Sequence, residues 1–176
     1  MIRLLLCDLD GTLVEPWRTI PLPDVRERLR VLQDQGVPVV VVTHQGGVGY
    51  RYAYEQRGEW ARAAQYPTFE DVQARLAVIA ESLPFTRRYV SLSHGRLEWP
   101  LPADRRLLEF HRPVPAFWSW RPEWHKPQPG MLLQALEDLN VAPSEALMVG
   151  DRVEDQEAAR AAGVPFRWAT ADWRLW

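Results

Sequence analysis

Residues 2–13 read Ile-Arg-Leu-Leu-Leu-Cys-Asp-Leu-Asp-Gly-Thr-Leu, an apolar run that stops abruptly at two aspartates and a glycine. The run is too short for a buried helix and shows no polar alternation after Arg3, so it predicts a strand covered on both faces. Both faces can be covered only if neighbouring strands run parallel and helices connect them. The Asp-Gly pair that follows is turn chemistry, which places Asp8 and Asp10 where the strand ends.

The rest of the chain keeps that alternation. Residues 24–35 carry Val25, Leu29 and Leu32 at helical spacing, with Gly36 as a stop. A Val-rich run at 37–43 predicts a second strand, and 68–83 a helix opened by Thr68 with Glu70 and Asp71 in its first turn. Strands are expected at 89–93, 146–150 and 165–169, and helices at 129–140 and 153–162. The fold class is therefore α/β: a Rossmann-like three-layer sandwich with a parallel sheet of about five strands and no large cap domain. One domain over 1–176 is expected, interrupted at about 95–125 by an irregular insertion rich in Pro and Trp. That insertion reads either as a lid over the core edge or as a platform for an aromatic or sugar ring.

Composition narrows the function. The chain has 176 residues, 47% hydrophobic and 25% charged, which is ordinary for a globular protein. A net charge of −2 is no footprint for general duplex binding. The longest apolar stretch is far too short to span a bilayer, and an early Asp8 argues against a signal peptide, so a cytoplasmic location without membrane contact is expected. A single cysteine, Cys7, excludes an internal disulfide and a multi-cysteine zinc site. Twenty of the 21 basic residues are Arg; the exception is Lys126.

In open parallel sheets, ligands bind outside the carboxyl ends of the strands. What leaves the expected strands there is Asp8 to Leu13, then Thr43-His44-Gln45, then Gly150-Asp151-Arg152-Val153-Glu154-Asp155, with Lys126 just ahead of a helix. Four carboxylates, a hydroxyl and one ammonium thus gather at one edge. Like charges so close call for a cation, and an oxygen-only donor set suits Mg²⁺. Positioning and charge neutralisation of this kind are what phosphoryl transfer needs.

The residues quoted resemble the haloacid dehalogenase (HAD) superfamily of aspartate-nucleophile phosphohydrolases. Asp8-Leu9-Asp10-Gly11-Thr12 is similar to its first motif, Thr43 to its second, Lys126 to its third, and Gly150-Asp151 through Asp155 to its fourth. Thr43-His44-Gln45-Gly46-Gly47-Val48 and Lys126-Pro127-Gln128-Pro129-Gly130-Met131 further resemble the signatures of a branch with little or no cap, containing histidinol phosphatase, heptose bisphosphate phosphatase and polynucleotide 3′-phosphatase. His44 stands where that branch usually has Asn, Arg51 lies one position from its usual Arg, and the branch's cysteine-rich zinc loop is replaced by the aromatic insertion.

The resemblance implies a role for each residue. Asp8 is the nucleophile, Asp10 the general acid and base, Thr43 a donor to the phosphoryl group, and Lys126 its neutralising cation. Asp8, Asp10 through its carbonyl, Asp151 and Asp155 would hold Mg²⁺. Gly11, Thr12, His44, Gln45 and Arg152 are candidate substrate contacts. The expected substrate is a small phosphate ester; the alternatives are a nucleic-acid 3′-phosphate end, or a catalytically silent binding module of the same fold. Each residue also has a plainer reading: Asp155 as a helix cap, Thr43 as a strand end, Arg152 as a surface cation, His44 as a structural hydrogen bond, and His94 and His125 as structural or exposed groups.

Overall fold

The computed structural model describes residues 2–94 and 115–169. Its centre is a sheet of six parallel strands in the order β4-β3-β2-β1-β5-β6. These are β1 (Leu4–Cys7), β2 (Val39–His44), β3 (Arg87–Ser91), β4 (Trp118–Ser119), β5 (Ala146–Gly150) and β6 (Phe166–Trp168). The helices are α1 (Val25–Asp34), α2 (Gly47–Gln56), α3 (Trp60–Ala63), α4 (Phe69–Ser82), α5 (Gly130–Asp138) and α6 (Val153–Ala161). No cap domain is present among the described residues, and no helix there is long and apolar enough to cross a membrane.

The period of two along each strand sorts the core into two layers. Leu5, Cys7, Val39, Val41, Leu147 and Val149 point to the side of α1 and α4, against Val25, Leu29, Val72, Leu76 and Ile79. Leu4, Leu6, Val40, Val42, Ala146 and Met148 point the other way, against Met131, Leu132 and Ala135 of α5 and Ala158 and Ala159 of α6. The central strands β1 and β5, covered on both faces, are therefore apolar at every position, which is why β1 reads as an unbroken run.

Local chemistry sets the helix ends. At the start of α4, Thr68 Oγ1 accepts from the Asp71 N–H at 3.0 Å while Asp71 Oδ2 accepts from the Thr68 N–H at 2.8 Å. This reciprocal pair satisfies two donors that the first helical turn leaves open.

Three elements, β4, α2 and α3, go beyond the sequence expectation. The sheet has a sixth strand, because Trp118–Ser119 inside the presumed irregular insertion pairs in parallel with Val90 and Ser91. Trp118 is buried and packs on Phe69 at a centroid distance of 5.3 Å, so it is core rather than an aromatic platform. Helix α2, with its two glycines and three tyrosines, has weak helix propensity. It forms because its backbone packs against the Leu92–His94 segment, where a Cβ on Gly49 would come within 2.5 Å of the Leu92 carbonyl oxygen. Trp99 and the prolines at 100, 102 and 113 fall outside the described residues.

Candidate active site

Strands β2 and β5 flank β1: the chain runs outward from β1 through β2, β3 and β4, then crosses back to β5 on the other side of β1, which reverses the strand order there. The crevice at such a reversal lies at the carboxyl ends of the strands. Asp8 follows β1 directly, Thr43 lies at the end of β2, Asp151 follows β5, and Asp155 sits in the first turn of α6.

Lys126 reaches this crevice from the loop ahead of α5 and is buried. Its Nζ donates to Asp8 Oδ1 and to Asp155 Oδ1, each at 2.5 Å, and to the Val42 carbonyl at 3.2 Å. Three donors meet three acceptors. Burial opposes the charge on Lys126, but Asp8 and Asp155 outweigh it and raise the ammonium above its ordinary range. Burial raises the Asp8 carboxyl, the Lys126 ammonium opposes that rise, and Asp155 and Asp151 add to it. Both oxygens of Asp155 are engaged, Oδ1 with Lys126 and Oδ2 with the Arg152 N–H at 3.1 Å, so the cap and the site share one carboxylate.

Asp8, Asp151 and Asp155 each offer a carboxylate oxygen within 4.8 Å of the others. Asp151 is solvent-exposed and Asp155 buried. The turn that carries Asp10 is pressed against Asp151: Gly11 has φ +82°, and a Cβ there would lie 2.2 Å from Asp151 Oδ2. Glycine alone meets both demands.

Asp10 is held from four directions. Arg75 of α4 donates Nη2 to Oδ1 at 2.5 Å and Nη1 to Oδ2 at 3.2 Å, while the Trp17 N–H reaches Oδ1 at 2.8 Å and Gln45 Nε2 reaches Oδ2 at 3.1 Å. Gln45 also donates to Thr43 Oγ1 at 3.0 Å. Arg75 did not emerge from the sequence, although a signal was there. It is the only basic residue of α4 and lies on the face shared by Val72, Leu76 and Ile79, where an arginine needs an internal partner.

The cleft over these groups has a volume of about 400 Å³. Besides Asp8, Asp10, Thr43, Lys126, Asp151 and Asp155, it is walled by His44, His94, His125, Arg152 and Glu154, with Pro16, Trp17 and Tyr50 at its sides. Of the candidate substrate contacts, His44 and Arg152 line it. Gly11, Thr12 and Gln45 do not; Thr12 is buried with no partner for its hydroxyl.

His44 Nε2 and His125 Nδ1 both meet the Ser93 carbonyl, at 2.7 and 3.0 Å, and the rings touch edge to face at 3.7 Å. Burial drives His44 down to about 3, and His125 adds to the fall, so His44 is a neutral, hydrogen-bonded wall. Arg51 points elsewhere: it pairs with Glu55 and donates to the Tyr66 carbonyl at 2.9 Å, tying α2 to the segment after α3.

Residues 123–168 match the HAD-hydrolase-like family model. D-glycero-beta-D-manno-heptose-1,7-bisphosphate 7-phosphatase of Haemophilus ducreyi is 31% identical over 144 residues, covering 80% of this chain and 63% of that protein. The Escherichia coli protein of the same name is 31% identical over 140 residues, covering 80% of this chain and 60% of that protein. The chain thus spans less than two thirds of the length of these relatives. D,D-heptose 1.7-bisphosphate phosphatase from B. bronchiseptica, crystallised with magnesium and phosphate, shares the fold: the TM-score is 0.63 at 17% identity, covering 94% of this chain and 79% of that one.

Proposed function

We propose that the chain is a HAD-like hydrolase, a phosphomonoester hydrolase acting through an aspartyl phosphate on a small phosphorylated metabolite. The observation that carries this reading is the buried Lys126 ammonium bridging Asp8 and Asp155 at 2.5 Å each, at the carboxyl end of the central strand. A structural ion pair has no need of a third carboxylate beside it, nor of an open cleft above it. The names of the relatives favour a sugar phosphate as substrate.

The residues fit a hard divalent cation such as Mg²⁺. Asp8 and Asp151 would hold it, with the Asp10 carbonyl, and Asp155 beside them; when bound it would neutralise charge on the phosphoryl group. The remaining steps belong to the chain. An Asp8 carboxylate oxygen attacks phosphorus, and the P–O bond to the leaving group breaks. Asp10, as the carboxylic acid, gives its proton to the departing oxygen. A water oxygen then attacks the phosphorus, Asp10 takes one proton from it, and the Asp8–phosphorus bond breaks to release phosphate. Lys126 balances negative charge on Asp8 and the phosphoryl oxygens throughout, and Thr43 donates its hydroxyl to one of those oxygens. We assign the whole chain, 1–176, to one domain with its insertion at about 95–125, since all the described strands form one sheet.

A panel of phosphorylated sugars, other small phosphate esters and 3′-phosphorylated oligonucleotides, assayed with Mg²⁺, tests the reading. Release of phosphate from a small ester by the wild type, lost in Asp8→Asn, supports it. Turnover confined to oligonucleotides would move the assignment to nucleic-acid ends. Undiminished hydrolysis by Asp8→Asn would remove Asp8 as nucleophile.

A further inference from the structure

We propose that Arg75 is the positioning residue of Asp10: its guanidinium fixes the carboxylate that the reaction proposed above uses as acid and base, and the inference rests on that reading. Each Asp10 oxygen accepts two hydrogen bonds, Oδ1 from Arg75 Nη2 and the Trp17 N–H, and Oδ2 from Arg75 Nη1 and Gln45 Nε2. These four bonds hold the ionised carboxylate, and carrying a proton requires one of them, such as that from Gln45, to open. Turning the group about its side-chain bonds would break at least the two parallel bonds to Arg75. Those two bonds set a plane as well as a direction, which a single ammonium could not do.

The same guanidinium has a second grip. Nε and Nη2 donate to the Arg18 carbonyl at 3.1 and 2.8 Å. Arg18 adjoins Trp17 and Pro16, which flank the cleft, so one side chain anchors both the proton-transfer group and the turn beside it. The Arg75 side chain is 14% exposed and that of Asp10 21%, so water competes weakly for these bonds. Helix α4 supplies the rigidity. Its flanking residues Val72, Leu76 and Ile79 are packed in the core, so Arg75 projects from a fixed surface onto a mobile class of element, a turn.

A residue that merely staples the turn and a residue that aims Asp10 differ in what their loss does to chemistry. Acid assistance matters when the leaving oxygen is strongly basic, and little when it departs readily as an anion. Phenyl phosphate and p-nitrophenyl phosphate are similar in size and differ in that respect. With Mg²⁺ present, Arg75→Ala should lower kcat on phenyl phosphate about tenfold further than on p-nitrophenyl phosphate, with KM moved little on either. Arg75→Lys, which restores one charged donor without the fork, should recover part of the phenyl phosphate rate. In an Asp10→Asn background, Arg75→Ala should cost little more, because the group it positions is already gone. Equal losses on the two esters, or full additivity with Asp10→Asn, would overturn the assignment and leave Arg75 a structural staple. Thermal melts separate these outcomes from unfolding, and Arg75→Lys carries the comparison if the Ala variant melts too low. A wild type that hydrolyses neither ester would overturn the phosphatase reading and this inference with it.

Discussion

Lys126 commits its three donors to Asp8 Oδ1, Asp155 Oδ1 and the Val42 carbonyl. That geometry belongs to a compact ammonium; a planar guanidinium is larger and aims its donors in a fork. Lys126→Arg should therefore lower kcat by at least ~100-fold, about 2.7 kcal/mol of transition-state stabilisation. Because the Lys126 side chain is buried, the same change should also lower the melting temperature, by overpacking worth about 1–3 kcal/mol. Steady-state kinetics and thermal melts check the two halves separately, and wild-type turnover in the Arg variant would remove Lys126 from the catalytic set. His44 carries a different prediction. Its pKa falls to about 3 in the folded chain, whereas an unfolded histidine titrates near 6.5. Between those values the unfolded state binds more protons, so the contribution of neutral His44 is fully present above about pH 6.5 and lost as pH falls toward 3. His44→Asn, which places the residue usual in the resembled signature, should shrink the drop in melting temperature between about pH 7.5 and about pH 5. Melts of both proteins at both pH values measure it; parallel curves would show that His44 is not the acid-sensitive group.

Trp118 is where the element scale gives its sharpest expectation. It lies in β4, is buried, and packs on Phe69 at the start of α4. Trp118→Ala should therefore cost about 3–5 kcal/mol of stability through the cavity it leaves. Denaturant unfolding checks this, and a stable variant with a changed KM would return Trp118 to the substrate platform that the sequence allowed. What was legible before the structure was the periodic part. Strands β1, β2 and β5 are continuous apolar runs, and α1, α4, α5 and α6 have helical spacing with recognisable ends, so their places could be read within a few residues. The loops that carry the candidate site were legible for the same reason, since they follow strands whose ends were known. Helix α2 was not, because its Gly and Tyr content carries no periodic signal and its formation depends on the backbone of Leu92–His94, far off in sequence. Arg75 was hidden by composition: one Arg among twenty looks like its neighbours until the fold shows that it faces inward.

Among the described residues, both core layers are packed apolar side chains, and the acidic cluster of Asp8, Asp151 and Asp155 belongs to neither. Chelation by EDTA should accordingly abolish turnover while leaving the melting transition almost unchanged, and Mg²⁺ alone should restore activity. Phosphate release and calorimetry before and after dialysis would show it; a chain that unfolds on chelation would mean that a metal belongs to the fold. The site itself is assembled from the two ends of the chain, and Gly11 marks where they touch. A Cβ at that position would lie 2.2 Å from Asp151 Oδ2, and the backbone there is left-handed, with φ +82°. Tolerance at position 11 is thus limited both by its own backbone and by Asp151, far along the chain, so substitutions at the two positions should be coupled. A library randomised at 11 and selected for folding alone should return glycine while Asp151 is kept. Opening 151 to Gly or Ala at the same time should let Asn enter at 11, the side chain that best bears a positive φ.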